Sequence, residues 1–307
     1  MGWRIICIED ALRINYKLNS IGVLEKDEVI WICLDEIDVL IIESQYCNTS
    51  IKLLTELLKK GITVIVCGDN HMPIGTLNSL SNNQRSAKYN KIQINWSNST
   101  KQLVWKEIVK HKIYLQKIVL KEYNNSEKIE ILEKYIEEVE KGDITNREGL
   151  AAKIYFRELF GSDFIRKSNA DDIINSSFNY LYQVIRSKIS QEIVSHGYLS
   201  SIGIFHCNEY NYFCLADDII EVYRPILDYY AIEILENSEY DFLCTKLKEQ
   251  LLSVLLKYIV VNNIKHWIIE SIKLVVVSIT DVLSSNSINE LKFPNLILWK
   301  VIIKKWE

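Results

Sequence analysis

The stretch KQLVWKEIVKHKIYLQKIVLK, residues 101–121, decides how the rest of the chain is read. At 100° per residue, Lys106, Lys110, Lys117 and Lys121 fall within roughly 60° of one another, and Val104, Ile108, Leu115 and Val119 lie opposite. This is a helix with one apolar face for a core and one cationic stripe. Upstream of it the pattern differs. Trp3–Ile8, Arg13–Leu18, Val29–Leu34 and Val39–Ile42 are short runs rich in β-branched and aromatic residues, divided by polar turns. A helix over Ser50–Lys60, closed by Gly61, leads to another strand at Thr63–Cys67.

Downstream, helical spacing recurs at 126–140, 146–160, 170–195, 216–236, 240–260 and 263–284. The apolar run Leu251–Val261 reads as a buried helix, too short for a bilayer. Residues 76–100, rich in Asn, Ser, Gln and Lys, read as a connection in which Ile92–Trp96 offers one further strand. The expectation is an α+β chain: a small β-rich N-terminal domain (1–75), a linker (76–100) and a larger all-helical catalytic domain (101–307). Three prolines and ten glycines in 307 residues favour long regular elements over a loop-rich fold.

The net charge of −4 gives no bulk support for nucleic-acid binding, so any such site must be local. Residues 85–121 supply one, with nine Lys or Arg against the single acid Glu107. Like charges on one stripe repel, which favours a polyanionic partner over a merely solvated face. Seven cysteines, at 7, 33, 47, 67, 207, 214 and 244, form no CxxC pair. With Glu9 and Asp10 where an export signal would be apolar, they read as reduced thiols of a cytoplasmic protein.

Three segments carry candidate chemistry. In NREGLAAKIYF, residues 146–156, Thr145 and Glu148 fit a capping box, which alone would account for the glutamate. GIFH, residues 203–206, ends in a histidine that is ordinarily a packed core residue. LADDIIEVYRP, residues 215–225, places Asp218 and Glu221 three apart on one helix face beside apolar positions. Inward carboxylates without basic partners repel one another, and a divalent cation relieves that repulsion. A Glu–His–Glu/Asp set suits Mg²⁺ or Mn²⁺, whereas Cys207 and Cys214 beside His206 lack a usual zinc spacing.

These segments, with the opening MGWR, QLVWKEIV (102–109) and Asp228, resemble the CRISPR-associated spacer-acquisition integrase and endonuclease family, in its type II-like form, almost end to end. The resemblance implies a β-stranded N-terminal domain, a helical catalytic domain, and metal ligation by Glu148, His206 and Glu221, with Asp218 behind them or as an alternate ligand. It implies a homodimer that assembles with a small ferredoxin-like adaptation subunit and acts on double-stranded spacer and repeat DNA, with no membrane. The implied reaction is attack of a spacer 3′-hydroxyl on a repeat phosphodiester. On charge and position, Arg85, Lys106, Lys110, Lys117, Lys121, Arg147 and Arg224 are the expected DNA contacts. The alternative is a catalytically silent DNA-binding scaffold. The C-terminal tail, with Pro294 and Trp299, is expected to dock on the helical part or on another chain.

Overall fold

The computed structural model describes residues 2–25, 28–79, 83–123, 127–168 and 172–297. The N-terminal part holds β1 (Arg4–Ile8), β2 (Arg13–Lys17), β3 (Ser20–Glu25), β4 (Glu28–Cys33), β5 (Ile37–Ile42), β6 (Asn48–Thr49), α1 (Ile51–Lys59), β7 (Thr63–Cys67) and β8 (Pro73–Leu77). Then follow α2 (Ser86–Ile94), α3 (Asn98–Tyr123), α4 (Ile129–Glu138), α5 (Arg147–Phe160), α6 (Ile173–Ser195), α7 (Cys214–Ile220) and α8 (Arg224–Glu236). The chain continues through α9 (Thr245–Ser253), β9 (Tyr258–Val261), β10 (Ile264–Trp267), α10 (Ile268–Ser285) and β11 (Pro294–Asn295). Strands followed by helices is the architecture expected from the sequence.

The strands divide into two four-stranded sheets, β1-β5-β7-β8 and β4-β3-β2-β6. In the first, β1, β5 and β7 run parallel and β8 returns antiparallel. Parallel strands need both faces covered, and β5 shows it: Val39, Leu40 and Ile41 are all fully buried. Leu40 joins Leu53 and Leu57 of α1 in one core. Val39 and Ile41 join the larger core, which also takes in α6 residues such as Ile185 and Ile189.

Polar groups are buried at the same boundary. Lys188 of α6 lies 3.0 Å from both Asp38 and Glu192, and its ammonium donates to Thr63 at 3.2 Å. Burial alone would discharge this lysine; Asp38 and Glu192 outweigh it and hold its pKa above the usual lysine value. Nearby, Glu43 accepts from Lys248 of α9 at 2.7 Å and from the Tyr180 hydroxyl at 3.1 Å.

Four local readings change. Residues 92–96 form no strand, because Ile92–Ile94 end helix α2. β3 pairs with β2 across a two-residue turn, Leu18-Asn19, both at positive φ. The helix expected over 216–236 is broken between α7 and α8, where Pro225, lacking an N–H, begins the second helix. The segment 240–260 splits as well. α9 stops at Ser253, and β9 and β10 form a hairpin around Asn262-Asn263, both left-handed, so the helical part also contains a three-stranded sheet with β11. Among the described residues no helix is long and apolar enough to cross a membrane.

Pro294 and Asn295 add to β9 as an edge strand, and the Pro294 carbonyl is bound by His111 Nε2 of α3 at 2.7 Å. Trp299 lies outside the described residues. Burial lowers the pKa of His111 to about 4, although its bond to Pro294 opposes the shift. A histidine held neutral in the fold contributes full stability above its unfolded pKa and loses it as pH falls. Between about pH 6.5 and 4 this group is expected to remove about 2–3 kcal/mol, allowing for its partial exposure. Urea titrations across that window should show a shallower pH slope for His111→Gln than for the wild type; equal slopes would refute the assignment.

Candidate metal centre

The site is assembled on α3. Its buried face reads Val104, Ile108, Lys112, Leu115, Val119, so a lysine stands in line with four aliphatic residues and is itself buried. An ammonium there requires anions, and two arrive from other elements. Lys112 Nζ donates to Glu148 Oε1 of α5 and to Glu221 Oε2 at the α7–α8 break. Desolvation works to discharge Lys112, but Glu221 and Glu148 outweigh it and raise its pKa above the usual value. Glu221 is buried too; desolvation would raise its carboxyl pKa, yet Arg224, 3.1 Å away, together with Lys112 holds it below the usual range.

Glu148 is free to reach inward because it does not cap its helix. The N-cap of α5 is Asn146, in the left-handed region at φ 52°, and its side chain accepts from Gly149 N at 3.3 Å. Asp143 accepts from Arg147 N at 2.9 Å and Glu148 N at 3.0 Å. The capping box read at Thr145–Glu148 is therefore replaced by an Asp143–Asn146 cap. Asp143 supplies the anion that the helix terminus favours, and the Glu148 carboxylate is left for Lys112.

His206 sits on a loop wrapped around Asp218. The fully buried Asp218 carboxylate accepts from the backbone N–H groups of Ile204, Phe205 (3.2 Å) and His206 (3.1 Å), and meets His206 Nδ1 at 2.8 Å. A Cβ on Gly203 would lie 2.3 Å from the His206 carbonyl oxygen and 2.7 Å from Asp218 Oδ2, so only glycine permits this wrap. The bond to Asp218 raises the His206 pKa despite partial burial, with Asp218, Glu221 and Asp217 adding to it. With Nδ1 engaged, Nε2 is the ring atom left for a ligand. Trp105 of α3 stacks flat on Phe205, with ring centroids 4.4 Å apart, and meets His206 edge-on at 5.8 Å.

The structure thus brings Glu148, Glu221, His206 and Asp218 to one region, but with basic partners. The repulsion expected of unpartnered carboxylates is absent, since Lys112 and Arg224 supply the cations. Glu148, His206 and Glu221 do not form a preassembled trio: among the described residues, the group of three whose ligand atoms all lie within 4.8 Å of one another is Cys7, Glu9 and Glu43, in the N-terminal part. The donor set at Lys112 still fits a small hard cation. Two carboxylates already converge on a positive charge, and one flexible lysine arm need only withdraw to admit an ion.

A cavity of about 440 Å³ opens beside Glu148 and is lined by Lys153, Arg157, Arg166 and Arg224 with Phe156 and Phe164. Of the expected DNA contacts, only Arg224 lines it, and Lys153, Arg157 and Arg166 had not been singled out. Arg147 is taken up by Glu138 at 3.0 Å and lies over the Tyr135 ring; Lys117 pairs with Glu133 at 3.2 Å. Lys106, Lys110, Lys121 and Arg85 carry no salt bridge among the described residues. Cys207 is exposed and Cys214 donates its thiol hydrogen to backbone carbonyls of Asn208 and Asn211, so neither is directed at His206 as a ligand.

The chain has relatives among known proteins. The family described as "CRISPR associated protein Cas1" matches residues 5–259. The chain is 30% identical over 298 residues to a CRISPR-associated endonuclease Cas1 of Neisseria meningitidis serogroup C, covering 97% of each. Two solved structures share its fold at low identity. One is a casposase bound to integration product (TM-score 0.73, 18% identity, 94% of this chain and 92% of that one). The other is a Cas6-RT-Cas1–Cas2 complex (TM-score 0.75, 15% identity, 97% of this chain and 36% of that one).

If Lys112 stands where an ion binds, removing its charge has opposite effects on the two states. Lys112→Met leaves the buried Glu221 with Arg224 alone and the half-buried Glu148 without its cation, and should cost about 2–4 kcal/mol of stability without metal. Adding Mn²⁺ should then raise its melting temperature more than it raises that of the wild type. An equal or smaller metal shift in the variant would show that no ion enters between these carboxylates.

Proposed function

The chain belongs to the CRISPR-associated Cas1 family, and from that premise we propose that it is a metal-dependent DNA integrase and endonuclease that joins spacer 3′-hydroxyls to repeat phosphodiesters. The observation that carries the proposal is that Lys112 draws Glu148 and Glu221 together, with His206 close enough to Glu221 for each to shift the other's titration, beside a cavity that Glu148 lines along with guanidinium and ammonium groups.

Glu148, Glu221 and His206 Nε2 would hold Mg²⁺ or Mn²⁺, which when bound polarises a phosphate oxygen and stabilises the attacking and leaving oxygens. The protein's own groups do the remainder. Asp218 fixes the ring of His206 and the tautomer that frees Nε2. Arg224, seated 4.9 Å over the Tyr182 ring, is held in place to neutralise the backbone beside the reacting phosphate. Lys153, Arg157 and Arg166 extend that positive lining, and Phe156 and Phe164 give it apolar walls against which an unpaired base can lie. Lys106, Lys110, Lys121 and Arg85 serve as outlying phosphate contacts, and Lys117 joins them by exchanging Glu133 for DNA. Arg147, already paired with Glu138, contributes less. A homodimer working with a small Cas2-type subunit is part of the proposal; the likeness to a chain in a Cas1–Cas2 complex supports the subunit.

Strand transfer of a labelled duplex with free 3′-hydroxyls into a repeat-bearing plasmid tests this reading, with Mn²⁺ or Mg²⁺ and the cognate small subunit present. Glu148→Gln should lower joining at least about a hundredfold, since several kcal/mol of charge stabilisation go with the ion. Equal joining by a folded Glu148→Gln would remove Glu148 from the chemistry. Tight DNA binding without joining by the wild type would favour the scaffold reading. DNA affinity itself should fall steeply with salt, as expected of phosphate contacts on an otherwise acidic protein; a salt-insensitive affinity would contradict the basic lining as its source.

A further inference from the structure

The carboxyl ends of the parallel strands β1, β5 and β7 form the kind of edge at which ligands collect in open α/β sheets. Here that edge gathers Cys7 on β1, Glu9 just beyond it, Glu43 just beyond β5, and His71 on the turn between β7 and β8. The ligand atoms of Cys7, Glu9 and Glu43 all lie within 4.8 Å of one another. His71 Nδ1 lies 3.5 Å from Glu43 Oε2, and the Cys7 thiol donates to Glu43 Oε1 at 3.6 Å. The sulfur and the two carboxylates therefore share one point, and the exposed His71 ring stands beside it against Glu43, from where a change of side-chain rotamer would bring its nitrogen in as a fourth ligand; all four lie far in sequence from the candidate catalytic residues.

We propose that Cys7, Glu9, Glu43 and His71 form a second metal site, selective for a thiophilic divalent ion of the zinc class. Four ligands of this composition match the tetrahedral preference of Zn²⁺ and are too soft for Mg²⁺. The surroundings meet the further requirement that ligating carboxylates be oriented from behind. Glu43, almost fully buried, is held by Lys248 at 2.7 Å and the Tyr180 hydroxyl at 3.1 Å. Lys248 does not exclude an ion. A carboxylate offers about four lone-pair positions, and the contacts an ion would replace are the long ones from Cys7 and His71.

Charge closes as well. When the ion binds, the Cys7 S–H bond breaks, its proton leaves to solvent and the thiolate forms the bond to metal. The two carboxylates and the thiolate then balance the divalent ion and the Lys248 ammonium, leaving a neutral site. Half-exposed Glu9 and exposed His71 open the site to solvent, giving an entry path. Because Tyr180 belongs to α6 and Lys248 to α9, an ion here would pin the strand-rich part to the helices.

Cobalt substitution of the full chain tests the site, because thiolate bound to Co²⁺ gives a charge-transfer band that nitrogen and oxygen ligands cannot give. One equivalent of Co²⁺ should produce this band, and Zn²⁺ should displace it. Cys7→Ser should abolish it. His71→Ala, at an exposed turn that threatens no core packing, should weaken Co²⁺ binding by at least about tenfold. The double variant Glu148→Gln with Glu221→Gln should leave the band unchanged, which separates this site from the candidate catalytic one. Absence of the band in the wild type, its persistence in Cys7→Ser, or undiminished affinity in His71→Ala would each overturn the proposal.

Discussion

A charged lysine cannot remain in the apolar face of a helix unless anions come to it, and that constraint organises the helical part. Lys112 is placed by α3 among aliphatic residues, and its ammonium demands Glu148 from α5 and Glu221 from the α7–α8 break. Each partner is in turn released from another duty. Asp143 and Asn146 cap α5, so Glu148 need not, and Pro225 ends one helix and starts the next, so Glu221 stands at a terminus instead of inside a turn. The candidate chemistry lies at the meeting point of these concessions. A buried ion pair is poor evidence for stability but good evidence that position is being specified.

The same arrangement recurs at the boundary between strands and helices. Lys188 and Lys248 each carry a buried ammonium to carboxylates at the parallel sheet, on Asp38 and Glu43. The sheet and the helices are therefore joined by directional contacts as well as by the shared core of Val39, Ile41 and Ile185. Apolar packing alone tolerates sliding, whereas an ammonium between fixed carboxylates admits one register.

Much of this was legible in the residues. The 3.6-residue period across 101–121 announced α3, and β-branched runs announced β1, β2, β4, β5 and β7. The three segments around Glu148, His206 and Glu221 carry the candidate ligands, which the fold brings into one region. What could not be read has identifiable causes. Asn262-Asn263 and Leu18-Asn19 are turns without glycine, so two hairpins were hidden in apolar patterns. Lys112 enters the local charge count of residues 85–121 without distinction, although its place in the series Val104, Ile108, Leu115, Val119 puts it on the buried face. That spacing was the available signal. The lysine stripe and the basic cavity differ because charge period along one helix says nothing about Lys153, Arg157 and Arg166, which reach the cavity from α5 and the segment after it.

The flat stack of Trp105 on Phe205 has an evolutionary consequence. The loop bearing His206 is strapped to the helix bearing Lys112 by two rings in parallel contact, with a glycine at the loop's start that tolerates no side chain. Neither aromatic residue can drift independently: shrinking one leaves the other's face uncovered and removes a packing contact from the ring of His206, which Asp218 still holds. The two positions, 100 residues apart in the sequence, should be inherited as a couple. Lineages that exchange one ring for a different flat side chain should carry a matching exchange at the other.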